Sequence, residues 1–161
     1  MKHLPKHLRP RWRYLGVGIE AWPDAAIDRR AFQRALWESA RSLLGDPGSA
    51  AADLSVLRFA FADCEGEAAV RARRERVAEA RAALACIDAV DGHPIGVRVR
   101  GVSGTVRACE ERYLGRRAGP SEESHVVFED ASREALARAD AVDVRLPDGF
   151  AGATDLDLRH E

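Results

Sequence analysis

The sequence predicts an α+β sandwich: two helices laid on one face of a four-stranded antiparallel sheet. Three observations lead there. Four stretches alternate apolar and polar residues with a period of two, and two longer stretches repeat apolar residues every three to four positions. Gly-, Pro- and Asp-rich breaks separate them in the order strand, helix, strand, strand, helix, strand. At 161 residues the chain accommodates one domain, or one domain with an appendage, and can bury a real core.

Residues 1–13 form a basic arm with Lys2, Lys6, Arg9, Arg11, Arg13, His3 and His7 and no acid. Pro5 and Pro10 keep it from being a helix. Strand one runs from Trp12 to Glu20. Leu15, Val17 and Ile19 share its inner face, while Trp12 and Tyr14 take the opposite phase. After the break at Trp22-Pro23-Asp24, Asp28 is placed to cap a helix reaching about Leu44, whose Phe32, Leu36, Ala40 and Leu43 make one stripe. Gly45-Asp46-Pro47-Gly48 reads as its end. Leu54–Phe61 is a second strand, Asp63–Glu67 a turn, and Ala68–Arg74 a third strand hairpinned to the second. The second helix spans about Glu75 to Val90, with Val77, Ala80, Leu84 and Ile87 inward, and Gly92 and Pro94 stop it. Ile95–Arg100 alternates as strand four. This order is the split βαβ pattern of ferredoxin-like and RRM-like folds, which leaves one sheet face open for partners. An extra helix follows over Val106–Leu114, with Thr105 as its cap.

The resulting organisation is the arm at 1–13, an RRM-like domain at 12–114 and an acidic extension at 115–161. In the extension we expect a strand near Val126–Phe128, a helix over Arg133–Ala139, a strand over Val142–Leu146 and a frayed end from Pro147.

A net charge of −1 hides a strong asymmetry: residues 1–117 hold 21 Lys/Arg against 15 Asp/Glu, and residues 118–161 hold 4 against 11. Only Lys2 and Lys6 of the 25 basic residues are lysines. Arginine grips phosphate with a planar fork, which suits nucleic acid; a GC-rich genome also favours arginine, but does not explain the segregation. No apolar run is long enough to span a membrane, and the first ten residues lack the apolar segment of a signal peptide. Cys64, Cys86 and Cys109, spaced 22 and 23 apart, fit neither a zinc pattern nor a disulfide framework, so reduced thiols in a cytoplasm are expected.

Alternation turns Arg71 and Arg73 on strand three, and Arg98 and Arg100 on strand four, toward the open sheet face beside the arm. Such a set neutralises phosphates and releases counterions. The competing reading is a solvated face, or pairing with nearby acids such as Glu75. The third strand carries no aromatic stacking platform, so binding through the shape and backbone of a folded RNA is expected. Trp12 and Tyr14 either stack on RNA or bury against a protein. Gly101-Val102-Ser103-Gly104-Thr105 is either a backbone cradle for phosphate or a tight strand-to-helix turn; it lacks the spacing of a P-loop. Catalytic groups are missing: the five histidines are scattered, Glu110 and Glu111 face different ways, and Cys109 reads as an inert buried thiol.

Three segments resemble one family, the archaeal ribonuclease P protein component 2 proteins. The basic start ending in Arg13-Tyr14-Leu15 is similar to theirs, as is Leu43-Leu44-Gly45-Asp46-Pro47-Gly48-Ser49-Ala50. Most specific is Val97-Arg98-Val99-Arg100-Gly101-Val102-Ser103-Gly104-Thr105-Val106-Arg107-Ala108-Cys109, close to the family's R-V-x-G-V-S-G-T-I-R-x-C. The resemblance covers roughly residues 1–114. It implies an RRM-like subunit of an endoribonuclease ribonucleoprotein that removes the 5′ leader from precursor tRNA. The RNA, with Mg²⁺, carries out the hydrolysis; the protein binds no cofactor and organises the RNA. Implied partners are the ribonuclease P RNA, ribonuclease P protein component 3, the other protein subunits and precursor tRNA, with a homodimer inside a heterotetramer left open. The candidate RNA-contacting set is Lys2, Lys6, Arg9, Arg11, Arg13, Tyr14, Arg71, Arg73, Arg98, Arg100, Ser103, Thr105 and Arg107. The acidic tail departs from the family core and, with the scarcity of lysine, resembles proteins of salt-adapted archaea. A metabolite-binding or self-associating ferredoxin-like module is the competing class; an arm of this charge has no use there. A lone nuclease is disfavoured by the missing catalytic cluster.

Overall fold

Leu15, Val17 and Ile19 are buried on one face of β1 (Trp12–Ala21), the central strand around which the body is built. The computed structural model describes residues 4–116, 122–138, 141–154 and 156–158. The first sheet also holds β2 (Ser55–Ala62), β3 (Glu65–Arg73), β4 (Ala89–Val90) and β5 (His93–Ser103), in the spatial order β2-β3-β1-β5-β4, every pair antiparallel. The four expected strands are present in split βαβ order, and β4 adds a two-residue fifth at one edge. Register places Val17 against Ala68 and Val99, and Leu15 against Val70, so the inner faces of three strands meet in one layer.

Helices α1 (Arg29–Ala52) and α2 (Val77–Ala85) cover that layer. Phe32, Leu36, Ala40, Ala80 and Leu84 are completely buried, each large aliphatic or aromatic one stabilising the fold by about 1.5–3 kcal/mol. Ser39 donates from its hydroxyl to the Ala83 carbonyl and ties the helices together. Asp28 caps α1, accepting from the Ala31 N–H at 2.7 Å.

Several boundaries differ from expectation. Gly45 (φ 71°) kinks α1, but Pro47 sits in the first turn of a resumed helix, where its missing N–H costs nothing, and the helix runs on to Ala52. Leu43, beyond the reach of the sheet, is exposed. The second helix is shorter than expected: a 3-10 turn at Arg74–Arg76 precedes it, and Ala89–Val90 form β4 because Asp91-Gly92 (φ 48° and 79°) closes a tight hairpin into β5. Asp63-Cys64 (φ 52° and 61°) makes the same kind of turn, so β3 starts at Glu65, inside the stretch expected to be a turn. The arm holds one 3-10 turn, Lys6–Leu8.

The sheet face opposite α1 and α2 is not fully open. Helix α3 (Val106–Tyr113) lies across it, capped by Thr105, whose hydroxyl accepts from the Ala108 N–H at 3.1 Å. Gly16 and Gly101 are directly paired across β1 and β5, and a Cβ on either would fall inside the Tyr113 side chain. The two glycines therefore form the seat that lets α3 approach the sheet.

The extension is a second sheet. Strands β6 (Glu123–Phe128), β7 (Ala131–Arg138), β8 (Ala141–Leu146) and β9 (Gly149–Ala153) form an antiparallel meander. The helix expected over Arg133–Ala139 is β7 as far as Arg138, with Ala139 outside the described residues, and the expected frayed end is β9 followed by a turn in which Asp157 accepts from Thr154. Glu129-Asp130 (φ 49° and 60°) is a two-residue hairpin turn that reverses β6 into β7, which strand pairing then holds extended. One face buries Val126, Ala135, Val144 and Ala153 under Leu158. The other packs Leu136 against Trp22 and Cys64 of the body. There Arg138 is buried among Asp143, Glu65 at 3.5 Å and Glu20 at 3.8 Å, and donates to the Ala21 carbonyl at 2.8 Å.

Candidate nucleic-acid interface

The arm and β3 meet at one end of the first sheet. The Arg74 N–H donates to the Arg11 carbonyl at 3.0 Å, fastening the arm where β3 ends. His7, Arg9, Arg11, Arg73 and Arg74 surround a groove of about 610 Å³, with Glu75 its single acidic lining residue among those described. Lys6, Arg9 and Arg11 are exposed beside it, and Arg9 holds the arm's own turn by donating to the Leu4 carbonyl at 3.0 Å. Lys2 lies outside the described residues.

Trp12 sits opposite Arg73 and Tyr14 opposite Arg71, on the face away from α1 and α2. The guanidinium carbons of Arg71 and Arg73 lie 3.9 and 4.2 Å from the Trp12 ring centroid, within range of cation–π attraction. Arg73 also pairs with Asp53 at 3.3 Å, and Arg71 Nε is buried with no hydrogen-bond partner among the described residues. Trp12 is thus taken up by arginines of its own chain, and what the pair presents outward is stacked, half-buried positive charge. Arg13, of opposite phase, donates to the Trp12 carbonyl at 2.9 Å.

The two β5 arginines have separate fates. A bulge opposite the Gly16/Val17 step puts Arg100 and Gly101 side by side on the outer face. Arg100 folds over Gly18 and donates to Glu67 at 2.6 Å and to the Tyr113 carbonyl at 2.7 Å. Glu67 is buried and also accepts from the N–H groups of Gly115 and Arg116 at 2.7 and 2.8 Å. Burial alone raises its pKa, but the Arg100 hydrogen bond, the two backbone N–H groups and the Arg100 charge outweigh that and hold it below 4.5. Arg98, opposite Gly18, is exposed and has no ion-pair partner among the described residues.

Gly101 to Ser103 belong to β5, so the expected glycine-rich loop shrinks to Gly104 and Thr105. Ser103 is buried opposite Tyr14 with its hydroxyl unpartnered among the described residues. Thr105 spends its hydroxyl on the cap, and Arg107 pairs with Glu111 at 2.9 Å. Cys109 is fully buried, which pushes its thiol pKa up, with the Glu110 charge adding to the effect. Among the described residues no three His, Cys, Asp or Glu side chains come together as a metal site, and no helix is long and apolar enough to cross a membrane. Arg74 and Arg116 were missed by sequence reasoning: one follows the end of a strand and the other a helix, beyond the reach of alternation.

The Rpp14/Pop5 family model matches residues 13–114. The chain belongs to the Rpp14/Pop5 family. Its relatives include "Ribonuclease P protein component 2" of Natronomonas pharaonis, 62% identical over 159 residues and covering 99% of each chain. The protein of that name from Halorubrum lacusprofundi is 60% identical over 157 residues, 98% of this chain and 99% of the relative. The Methanosarcina mazei protein of the same name is 32% identical over 114 residues, which are 71% of this chain and 93% of its own length. Within the Rpp14/Pop5 family, then, the Natronomonas and Halorubrum relatives match along both sheets. The Methanosarcina relative has almost nothing left over after a match the length of the body.

Proposed function

We propose that this chain is the component 2 protein subunit of a ribonuclease P, a non-catalytic cofactor that holds the enzyme's RNA while it cleaves the 5′ leader from precursor tRNA. The observation that carries the reading is the groove at the end of the first sheet, where Arg9 and Arg11 of the arm meet Arg73 and Arg74, with Glu75 in the lining and Asp53 paired to Arg73. Arginines gathered around one groove offset phosphate repulsion where an RNA folds tightly; they position the backbone and read no base. Hydrolysis belongs to the RNA and its Mg²⁺, so the protein's contribution is electrostatic and organisational. Ribonuclease P protein component 3 and the other protein subunits complete the particle, which works in the cytoplasm.

The test is reconstitution with the RNA and component 3, with and without residues 1–11. The full chain is expected to support leader cleavage only in the presence of RNA, and the truncated chain to need more Mg²⁺ for the same rate. Cleavage by protein alone, or identical magnesium titrations for the two chains, would overturn the respective halves of the proposal.

A further inference from the structure

A second cleft, of about 350 Å³, opens on the outer face of the first sheet, at the opposite side of α3 from the arm groove. Gly96 of β5 lies on its floor, and Gly18 of β1 lies under the Arg100 guanidinium. Arg98 and Arg116 stand on its walls with Glu20 and Glu65, and Arg100 closes one side.

The charges in this cleft are divided by depth. Glu67 is spent on Arg100, and Glu20 and Glu65 lie 3.8 and 3.5 Å from the buried Arg138. Arg98 and Arg116 are exposed, and among the described residues neither guanidinium has a hydrogen-bond or ion-pair partner. Their convergence has a structural cause. Pairing with Gly18 places Arg98 on the outer face, and the grip of Glu67 on the N–H groups of Gly115 and Arg116 turns the chain back over the sheet after α3. Two planar forks lining one cleft, unpaired among the described residues, can each turn paired N–H donors toward phosphate oxygens. The half-occupied carboxylates of Glu20 and Glu65 beside them are acceptors for a hydroxyl.

We propose that this cleft is an RNA subsite that takes one phosphodiester of a single strand between Arg98 and Arg116, with the adjoining ribose 2′-hydroxyl donating to Glu20 or Glu65. The inference rests on the RNA reading above and adds a contact on the far side of α3 from the arm.

The experiment measures binding of the full chain to a single-stranded oligoribonucleotide and to its deoxyribonucleotide counterpart across a salt series, with inorganic phosphate as competitor. R98A/R116A is expected to weaken RNA binding by about tenfold or more. It should also lower the log–log salt slope by about 0.7, the value for one single-strand phosphate contact. R98K/R116K keeps the charge without the fork, and should restore the slope but not the full affinity. The preference for RNA over DNA should shrink in E20Q. Unchanged affinity and slope in R98A/R116A, with R9A/R11A still weakened, would overturn the cleft and leave the arm reading intact. A wild-type chain that binds no RNA would overturn both. Inorganic phosphate that saturates the Arg98 and Arg116 side-chain NMR signals, with the oligonucleotide unable to displace it, would make this a free-anion site and overturn the proposal.

Discussion

Glu67→Gln is the most exacting test of how the outer sheet face is held. The carboxylate accepts from Arg100 at 2.6 Å and from the Gly115 and Arg116 N–H groups at 2.7 and 2.8 Å, with its side chain only 6% exposed. Glutamine keeps the shape but opposes an NH₂ group to a donor and strips Arg100 of its counter-charge. Removing one member of a buried pair costs about 3–5 kcal/mol. The Arg100 side chain is 24% exposed and keeps the Tyr113 carbonyl at 2.7 Å, so we expect a loss nearer 2–3 kcal/mol. In a chain of this length that lowers Tm by roughly 4–12 °C. The urea midpoint should fall with an unchanged slope, read by far-UV circular dichroism. Because the folded-state pKa of Glu67 lies below 4.5, its stabilisation is complete above that pH and fades as pH falls through the folded value. The variant's acid limb should therefore be flatter than wild type. A Gln variant within about 0.5 kcal/mol of wild type, the range of ordinary surface changes, would refute the pairing.

Three further outcomes are expected. Gly101→Ala drives a methyl into Tyr113 and should cost about 1–3 kcal/mol by overpacking, whereas G101A/Y113A should be no less stable than Y113A alone. Additive losses in denaturant melts would contradict the seat. Arg138→Ala leaves Asp143 and Glu65 facing each other without their shared cation, so limited proteolysis should release the second sheet while the body stays folded; equal protection of both variants would count against the clamp. Trp12→Ala removes the surface on which Arg71 and Arg73 stack, worth about 0.5–2 kcal/mol each. RNA affinity should fall while the melt moves little, and an unaltered affinity would remove the stacked pair from the interface.

The body was legible because its signals are local. Leu15-Val17-Ile19 and Val97-Val99 alternate cleanly, and Asp28 and Thr105 cap the helices that follow them. The second sheet was not. Ala131-Ser132-Arg133-Glu134-Ala135-Leu136-Ala137-Arg138 is rich in helix formers, and both of its faces are covered, so Ala135 and Leu136 are buried side by side and the period of two is lost. Its turn, Glu129-Asp130, has no glycine to announce it. In the site, alternation placed Arg98 and Arg100 on the correct face. It could not say that Arg100 is consumed by Glu67, 33 residues away, because that pairing depends on how β3 and β5 flank β1. The paired glycines, Gly16 and Gly101, were the available sign that something lies on that face.

The clamp around Arg138 also bears on how the chain is made. Arg138 bonds to Ala21 across 117 residues, and Arg145 reaches Asp24 across 121. Every ladder of the first sheet is complete once Ser103 has emerged, so the body can fold while the remainder is still being synthesised. The second sheet is made of successive hairpins and zips up from neighbours, then closes a loop whose entropy grows only logarithmically with length. Trp22 and the carboxylates of Glu20 and Glu65 thus stay uncovered until translation is nearly finished, and a chain that stops short of β7 leaves the ribosome with an unsealed end.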